Sequence, residues 1–127
     1  MDFKDNKAIY LQISDYVFEH ILLGRWPATE KIPSVRELAA VLEVNPNTVA
    51  RTYELLQNQQ IIQNKRGIGF FVANDAKDKI RTIRRQEFMD KELPAFFRTI
   101  YLLDIDMEQL KHLYETFVNT TFQHENK

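Results

Sequence analysis

Two closely spaced helix starts in the middle of the chain restrict its possible folds more than any other feature. Ser34 and Glu37 form a capping box, in which each residue satisfies a free backbone N–H group at the start of a helix. Asn45 and Pro46 mark a second start, with asparagine as the N-cap and proline at the first helical position. The first helix is therefore short, and a turn of three or four residues joins it to the second. This spacing predicts a helix-turn-helix.

A further helix is predicted before this pair, from about Ala8 to Leu23. An apolar residue recurs there at every fourth position, which is the spacing of one helix face: Ile9, Ile13, Val17 and Ile21. Gly24 and Pro27 are placed to end this helix, so residues 24–33 are predicted to be a loop.

The hydrophobic period changes after about Asn58, where the helix that starts at Pro46 is predicted to end. An extended run begins at Ile61, reverses through Lys65-Arg66-Gly67 and returns over residues 69–73. Two such runs around a basic turn that contains glycine predict a β-hairpin. Three helices followed by a hairpin is the order of a winged helix.

The remainder of the chain differs in character and is predicted to be helical. Pro94 interrupts a long helix that reaches about Leu103, so the sequence predicts a kink or a break just before the proline. Asp106 is placed to cap a final helix. The apolar face of that helix follows helical spacing: Leu110, Leu113, Tyr114, Phe117 and Thr121.

These last two helices are too short to enclose a core of their own, although they carry several aromatic residues. Exposed apolar area of that size is normally buried against another surface, and a second copy of the chain is the predicted partner. We therefore divide the chain into a winged helix-turn-helix domain at residues 7–75 and a helical dimerisation tail at residues 76–127. The fold class is predicted to be mainly α with a small β-hairpin.

Composition excludes several classes of protein. The chain has no cysteine, and its three histidines are far apart, so no catalytic residue, metal site or cofactor is predicted. The acidic residues near the N-terminus do not fit a signal peptide, and no apolar run is long enough to cross a bilayer. The sequence therefore predicts a soluble, cytoplasmic protein that is not an enzyme.

The net charge of −1 gives the chain no general attraction to a polyanion. The distribution of charge is more informative than the total. Between residues 44 and 72, one acidic residue, Glu54, accompanies three basic ones: Arg51, Lys65 and Arg66. This distribution predicts a modest non-specific affinity for DNA.

Three strings occur in a fixed order over the predicted winged helix: IPSVRELA at residues 32–39, VNPNTVARTY at residues 44–53 and GIGFFV at residues 67–72. With these strings, residues 7–75 resemble the winged helix-turn-helix domain of the GntR family, and the short tail resembles its YtrA-type subfamily. Gln60 is a departure, because the family usually has glycine there. The resemblance implies a DNA-binding transcription regulator that controls a nearby transporter operon.

Residues at the start of the recognition helix are the main candidates for reading DNA. In a helix-turn-helix, this part of the second helix meets base edges in the major groove. The candidates are Asn45, Asn47, Thr48 and Arg51. Asparagine pairs with adenine, and arginine pairs with guanine or phosphate. Asn45 can equally act as a helix cap and Thr48 can bond within its own helix, which leaves Arg51 as the strongest candidate.

Further candidates lie outside the recognition helix. The resemblance implies that Arg36 points toward the DNA, with a surface ion pair as the alternative. Ser34 is a helix cap first and a candidate phosphate contact second. A basic cluster between Lys77 and Arg85 can flank DNA, although a solvated helix face is the favoured interpretation. The wing tip carries a basic turn suited to the minor groove or the DNA backbone: Lys65, Arg66 and Gly67.

Together these patterns predict a homodimeric repressor that binds a pseudo-palindromic operator in double-stranded DNA. The tail offers no self-contained ligand cavity, so the pocket of any small-molecule effector is expected at the dimer interface or between domain and tail. The alternative is a winged helix that binds another protein and does not read DNA, and the near-neutral net charge is the argument for it.

Overall fold

Three helices in the first part of the chain begin and end close to the predicted positions. Helix α1 spans Ile9–Leu22, α2 spans Val35–Leu42 and α3 spans Pro46–Asn58. Helices α1 and α2 both pack against α3, because each has an apolar face that must leave water. The order and the bounds of these helices confirm the predicted helix-turn-helix.

The computed structural model describes residue 3 and residues 6–123 of the chain. The packing of the backbone divides it into two units, residues 1–80 and residues 81–127. No helix in the described part of the chain combines the length and the apolar character that a membrane span requires.

Local hydrogen bonds explain where α2 and α3 begin. The Ser34 hydroxyl oxygen accepts a hydrogen bond from the backbone N–H of Glu37 at 3.1 Å, and the Glu37 carboxylate accepts one from the backbone N–H of Ser34 at 2.9 Å. The side-chain oxygen of Asn45 accepts one from the backbone N–H of Asn47 at 2.8 Å. Between these caps, Glu43 ends α2 in the left-handed conformation, with a φ of 56°. The predicted capping box and the predicted N-cap are both confirmed.

The core of the first unit contains most of the predicted apolar face of α1. Ile13, Val17 and Ile21 are buried, as predicted. Ile9, which shares the same spacing, is 46% exposed. Ile9 is the first residue of α1 and lines an open cleft with residues of α3. Phe18, which the fourfold spacing passes over, is buried.

The wing is an antiparallel hairpin of β1 (Ile62–Lys65) and β2 (Gly69–Val72), which confirms the predicted hairpin. Residues 24–33 form no helix or strand, which confirms the predicted loop, and within them Lys31 pairs with Phe71 in an isolated antiparallel bridge. Backbone hydrogen bonds on either side of this pair extend the contact. The outer edge of β2 has backbone groups that need partners, and the segment around Lys31 supplies them.

The turn between α3 and β1 keeps a backbone shape that favours glycine, although Gln60 occupies it. Gln60 adopts a φ of 61°, in the left-handed region that costs a residue with a side chain roughly 1–2 kcal/mol. The backbone N–H of Ile61 donates to the carbonyl of Leu56 at 2.9 Å and closes the turn. Gln60 therefore holds a strained backbone conformation in this turn.

We expect Gln60→Gly to raise the free energy of unfolding by about 0.5–1 kcal/mol, because the relief of left-handed strain exceeds the added chain entropy of glycine. Gln57→Gly is the matched control, since Gln57 lies inside α3. There the same change should lower the free energy of unfolding by about 0.5 kcal/mol. Urea denaturation measures both values, and equal losses in the two variants would show that position 60 carries no strain.

The helical part of the chain after the hairpin, from Ala76 onward, contains the distortion that the position of Pro94 predicts. Helix α4 (Ala76–Glu87) is followed by a π-helical segment (Phe88–Glu92) and by α5 (Leu93–Leu102). Proline has no backbone N–H and cannot donate to the carbonyl four residues before it, so the regular hydrogen-bond pattern cannot run through this point. The chain widens into π-helix here and stays helical, which makes the interruption a distortion and not a break.

Helix α6 (Met107–Thr121) begins at the predicted cap, where the Asp106 carboxylate accepts a hydrogen bond from the backbone N–H of Glu108 at 3.2 Å. The apolar face of α6 is exposed in the single chain, and Leu113 and Phe117 are each 54% exposed. Within residues 6–123, therefore, nothing fully covers the face for which a partner is predicted.

Candidate nucleic-acid interface

The exposed start of α3 gathers the four predicted residues of the recognition helix: Asn45, Asn47, Thr48 and Arg51. They line one open cleft of about 320 Å³, whose opposite wall is the start of α1, from Ala8 to Tyr10. Thr48 is half-buried, and the other three side chains are exposed. The structure therefore brings together four polar side chains that remain accessible from solvent.

Two of the candidate residues also serve as helix caps. Asn45 uses its side-chain oxygen to hold the backbone N–H of Asn47, a bond that does not involve its amide N–H donors. Ser34 uses its hydroxyl oxygen in the capping box, a bond that does not involve its hydroxyl proton. Hydrogen bonds with the backbone and the side chain of Ser34 hold the pKa of Glu37 below its ordinary value.

Arg51 lies against a residue of another helix. Its guanidinium carbon is 3.7 Å from the centroid of the Tyr10 ring, well within the range of a cation–π contact. The Tyr10 carbonyl accepts a hydrogen bond from the hydroxyl of Thr52 at 2.7 Å, and Thr52 is fully buried. This contact gives Arg51 a structural role that the sequence does not reveal. The apolar spacing of α1 places Tyr10 on a helix face but does not indicate which residue packs on its ring.

Arg36 is exposed on α2, two residues after the Ser34 cap. Among the residues that the structure describes, none forms an ion pair with Arg36. The geometry therefore gives no support to the alternative of a surface ion pair.

The wing tip presents the predicted basic turn. Arg66 and Gly67 are exposed, and Gly67 takes a φ of 79°, which few residues other than glycine adopt. The Lys65 ammonium group lies 4.3 Å from the centroid of the Phe71 ring. This contact holds the stem of Lys65 against the sheet and leaves a charged group beside the exposed turn.

Lys31 adds a third cation to the wing that the sequence does not indicate. Its side chain runs beside Gly69, where an added Cβ would lie only 2.8 Å from the Lys31 Cε atom. Glycine at position 69 therefore makes room for Lys31. The apolar spacing and the turn residues of the sequence do not identify Lys31 as part of the wing, because its position depends on pairing with Phe71 of a distant strand.

The basic cluster on α4 is partly engaged within the protein. The Lys79 ammonium group lies 3.2 Å from the Asp75 carboxylate and donates to the backbone carbonyl of Gln60 at 3.1 Å. The Arg84 guanidinium lies 3.9 Å from the Glu87 carboxylate. These contacts favour a solvated helix face over a DNA contact for this cluster.

Comparison with known proteins places these features in a family. Residues 9–72 match the family described as bacterial regulatory proteins, gntR family. Over 110 residues, the chain is 39% identical to the HTH-type transcriptional repressor YtrA of Bacillus subtilis, covering 87% of this chain and 84% of that protein. A crystal structure of a GntR-family regulator from Bacteroides thetaiotaomicron is 47% identical, with a TM-score of 0.66, and covers 89% of this chain and 98% of that one.

A structure bound to DNA is also similar. S. agalactiae BusR, in complex with its busAB-promoter DNA, matches with a TM-score of 0.59 and 25% identity, covering 91% of this chain and 57% of that one. The mainly helical fold with its two-stranded hairpin is thus that of known winged-helix regulators. None of these similar proteins is described as an enzyme. Among the described residues, no group of histidine, aspartate and glutamate side chains is arranged to hold a metal ion.

Proposed function

The chain belongs to the GntR family and is a DNA-binding transcriptional regulator, and from this premise we propose that it is a homodimeric repressor of a pseudo-palindromic operator. One observation carries the DNA-reading part of this proposal, namely the accessible cleft at the start of α3 with its four polar side chains. Their donors and acceptors are of the kinds that read base edges in the major groove. The recognition helix of a helix-turn-helix makes these contacts with its N-terminal residues.

Each candidate residue has a distinct part in the proposed contact. Arg51 binds guanine or phosphate, and Asn47 and Asn45 pair with adenine. Thr48 contacts a base edge beside them. Ser34 and Arg36 contact the DNA backbone and fix the position of the protein on the duplex. The wing tip follows the backbone or enters the minor groove: Lys65, Arg66 and Gly67.

We place DNA binding in residues 7–75 and dimerisation in residues 76–127. The second region carries an open apolar groove of about 490 Å³, lined by Phe96 of α5 and by residues of α6 that include Leu113, Tyr114 and Phe117. Monomeric proteins rarely leave such apolar surface uncovered, and a second copy of the same region is the proposed cover. A two-fold dimer suits an operator with two inverted half-sites.

The repressor role is inferred from the relatives. YtrA is named a repressor, and the YtrA-type tail suggests control of a nearby transporter operon. We propose that the present chain acts in the same way, in the cytoplasm, on an operator close to its own gene.

An electrophoretic mobility shift tests the proposal against the protein-interaction alternative, which the near-neutral charge of the chain favours. Full-length protein is titrated against the DNA upstream of its own gene and against a scrambled duplex of equal composition. We expect the natural duplex to bind at least about 10³-fold more tightly, as specific sites do. Equal weak binding of both duplexes would contradict a local operator, and no binding of either would favour the protein-interaction alternative.

The double variant Lys65→Ala/Arg66→Ala is expected to weaken binding to specific and non-specific DNA alike, because wing contacts to phosphate carry no sequence information. The plot of log K against log salt concentration should become less steep. Its slope should change by roughly 0.9 for each phosphate contact that is lost, counted over both protomers. Lys77→Ala/Arg85→Ala removes the same charge from the exposed face of α4 and should leave the slope unchanged. An unchanged slope in the wing variant would show that the wing does not contact the DNA backbone.

A further inference from the structure

The start of α1 and the middle of α3 are tied together by one buried hydroxyl. Thr52 is fully buried, and its hydroxyl lies 2.7 Å from the carbonyl oxygen of Tyr10 and 3.2 Å from that of Thr48. The shorter of these distances marks Tyr10 as the main acceptor. The hydrogen bond therefore fixes the backbone of Tyr10 relative to the recognition helix.

The fixed backbone places the Tyr10 ring beneath Arg51. The guanidinium carbon lies 3.7 Å from the ring centroid, and the same two side chains line the cleft that also holds Asn45, Asn47 and Thr48. A free arginine side chain samples many rotamers, and ordering it on binding costs conformational entropy. The ring restricts Arg51 before any DNA is present.

The contact uses the part of Arg51 that base recognition does not need. The ring lies against the central carbon of the guanidinium, and the N–H donors point outward from that carbon within the guanidinium plane. A guanine is bound through those in-plane donors, which pair with its O6 and N7 atoms. Arg51 can therefore stack on Tyr10 and bind a guanine at the same time.

From this geometry we propose that Tyr10 is a positioning residue for DNA recognition, which orients the Arg51 guanidinium toward one base pair of each half-site. The proposal rests on the proposed function, since it assigns a role within the same DNA interface. Tyr10 itself does not read a base. Its effect on affinity and on sequence preference passes through Arg51, because pre-ordering a contact lowers the entropy lost on binding.

The test compares full-length wild type with Tyr10→Phe, Tyr10→Leu, Arg51→Ala and the double variant Tyr10→Leu/Arg51→Ala. Each protein selects from a pool of randomised duplexes, and the base frequencies of the bound fraction give its sequence preference. Affinities are then measured for one duplex that the wild type enriches. Tyr10→Met is a second non-aromatic variant, and melting temperatures identify which of the two retains the wild-type fold.

We expect Tyr10→Phe to keep the wild-type preference, because its ring stacks without the hydroxyl. The non-aromatic variant should lose about two- to tenfold in affinity for each half-site, because Arg51 must then be ordered when the DNA binds. Its preference should weaken at the same base pair that Arg51→Ala makes indifferent. In the Arg51→Ala background, removing the ring should have no further effect.

Three results would overturn the proposal: unchanged preference in the non-aromatic variant, a change at a different base pair, or losses that add in the double variant. A general loss of fold stability does not produce the expected pattern, because it would not act on one base pair. If the wild type enriches no sequence, the proposed function fails and this inference fails with it. If the wild type enriches a sequence and Tyr10 has no effect on it, only the inference fails.

Discussion

Glutamate at both Leu113 and Phe117 is expected to separate the chain into monomers and to weaken binding to a full operator by roughly 10²- to 10⁴-fold. Both side chains are 54% exposed in the single chain, so the substitutions should leave the packing of each protomer largely intact. At an apolar dimer interface, however, the new carboxylates would be desolvated without partners. The loss of affinity follows because the second half-site then no longer binds as part of the same complex.

Sedimentation equilibrium of the Leu113→Glu/Phe117→Glu variant and the wild type at micromolar concentration measures the first step. Asn119→Glu is the matched control, because Asn119 is exposed on the side of α6 away from the apolar face. The control should remain a dimer and keep its affinity for DNA. A wild type that sediments as a monomer, or a double variant that sediments as a dimer, would remove the proposed role of this face.

Arg51→Ala is expected to weaken operator binding by roughly 1–3 kcal/mol for each half-site if the guanidinium binds a guanine. The preference for that base pair should relax at the same time. The contact with Tyr10 also contributes to the fold, so the free energy of unfolding should fall by about 0.5–1 kcal/mol, as for an exposed cation–π contact. This loss of stability is too small to unfold an ordinary domain.

Titration against an operator duplex and a scrambled duplex at two salt concentrations separates the two roles of Arg51. If Arg51 binds phosphate, the loss should be similar for both duplexes and should shrink at high salt. Arg51→Lys is the control, because it keeps the charge and lacks the planar fork that pairs with guanine. Lysine should therefore restore a phosphate contact better than a guanine contact. Unchanged affinity of Arg51→Ala for both duplexes would exclude both roles.

The helix-turn-helix can be predicted from the sequence because its signals are local. Ser34 and Asn45 bond to backbone groups two or three residues further along the chain, so a short string of residues contains all of the relevant information. The hairpin is predictable for the same reason, since the turn at Gly67 lies between two short strands that pair with each other.

Features that depend on contacts between distant segments could not be predicted. Lys31 joins the wing only because β2 has an open edge beside it, and Tyr10 enters the interface only because α1 crosses the start of α3. Ile9 follows the apolar spacing of α1 and is nevertheless 46% exposed, because spacing alone does not show which residues of a helix a neighbouring element covers. These are properties of the packing between elements and not of any one element.

The proposed function requires that two copies of the chain bind one operator and that each copy reads a half-site through α3. Hydroxyl-radical footprinting of the full-length protein on the duplex that it binds most tightly tests this claim most directly. We expect two protected segments related by two-fold symmetry, with centres about 10 base pairs apart or a multiple of that distance. The footprint should disappear in the Leu113→Glu/Phe117→Glu variant at the same protein concentration. A single unpaired segment, or uniform cleavage at a concentration that saturates the duplex, would contradict the claim.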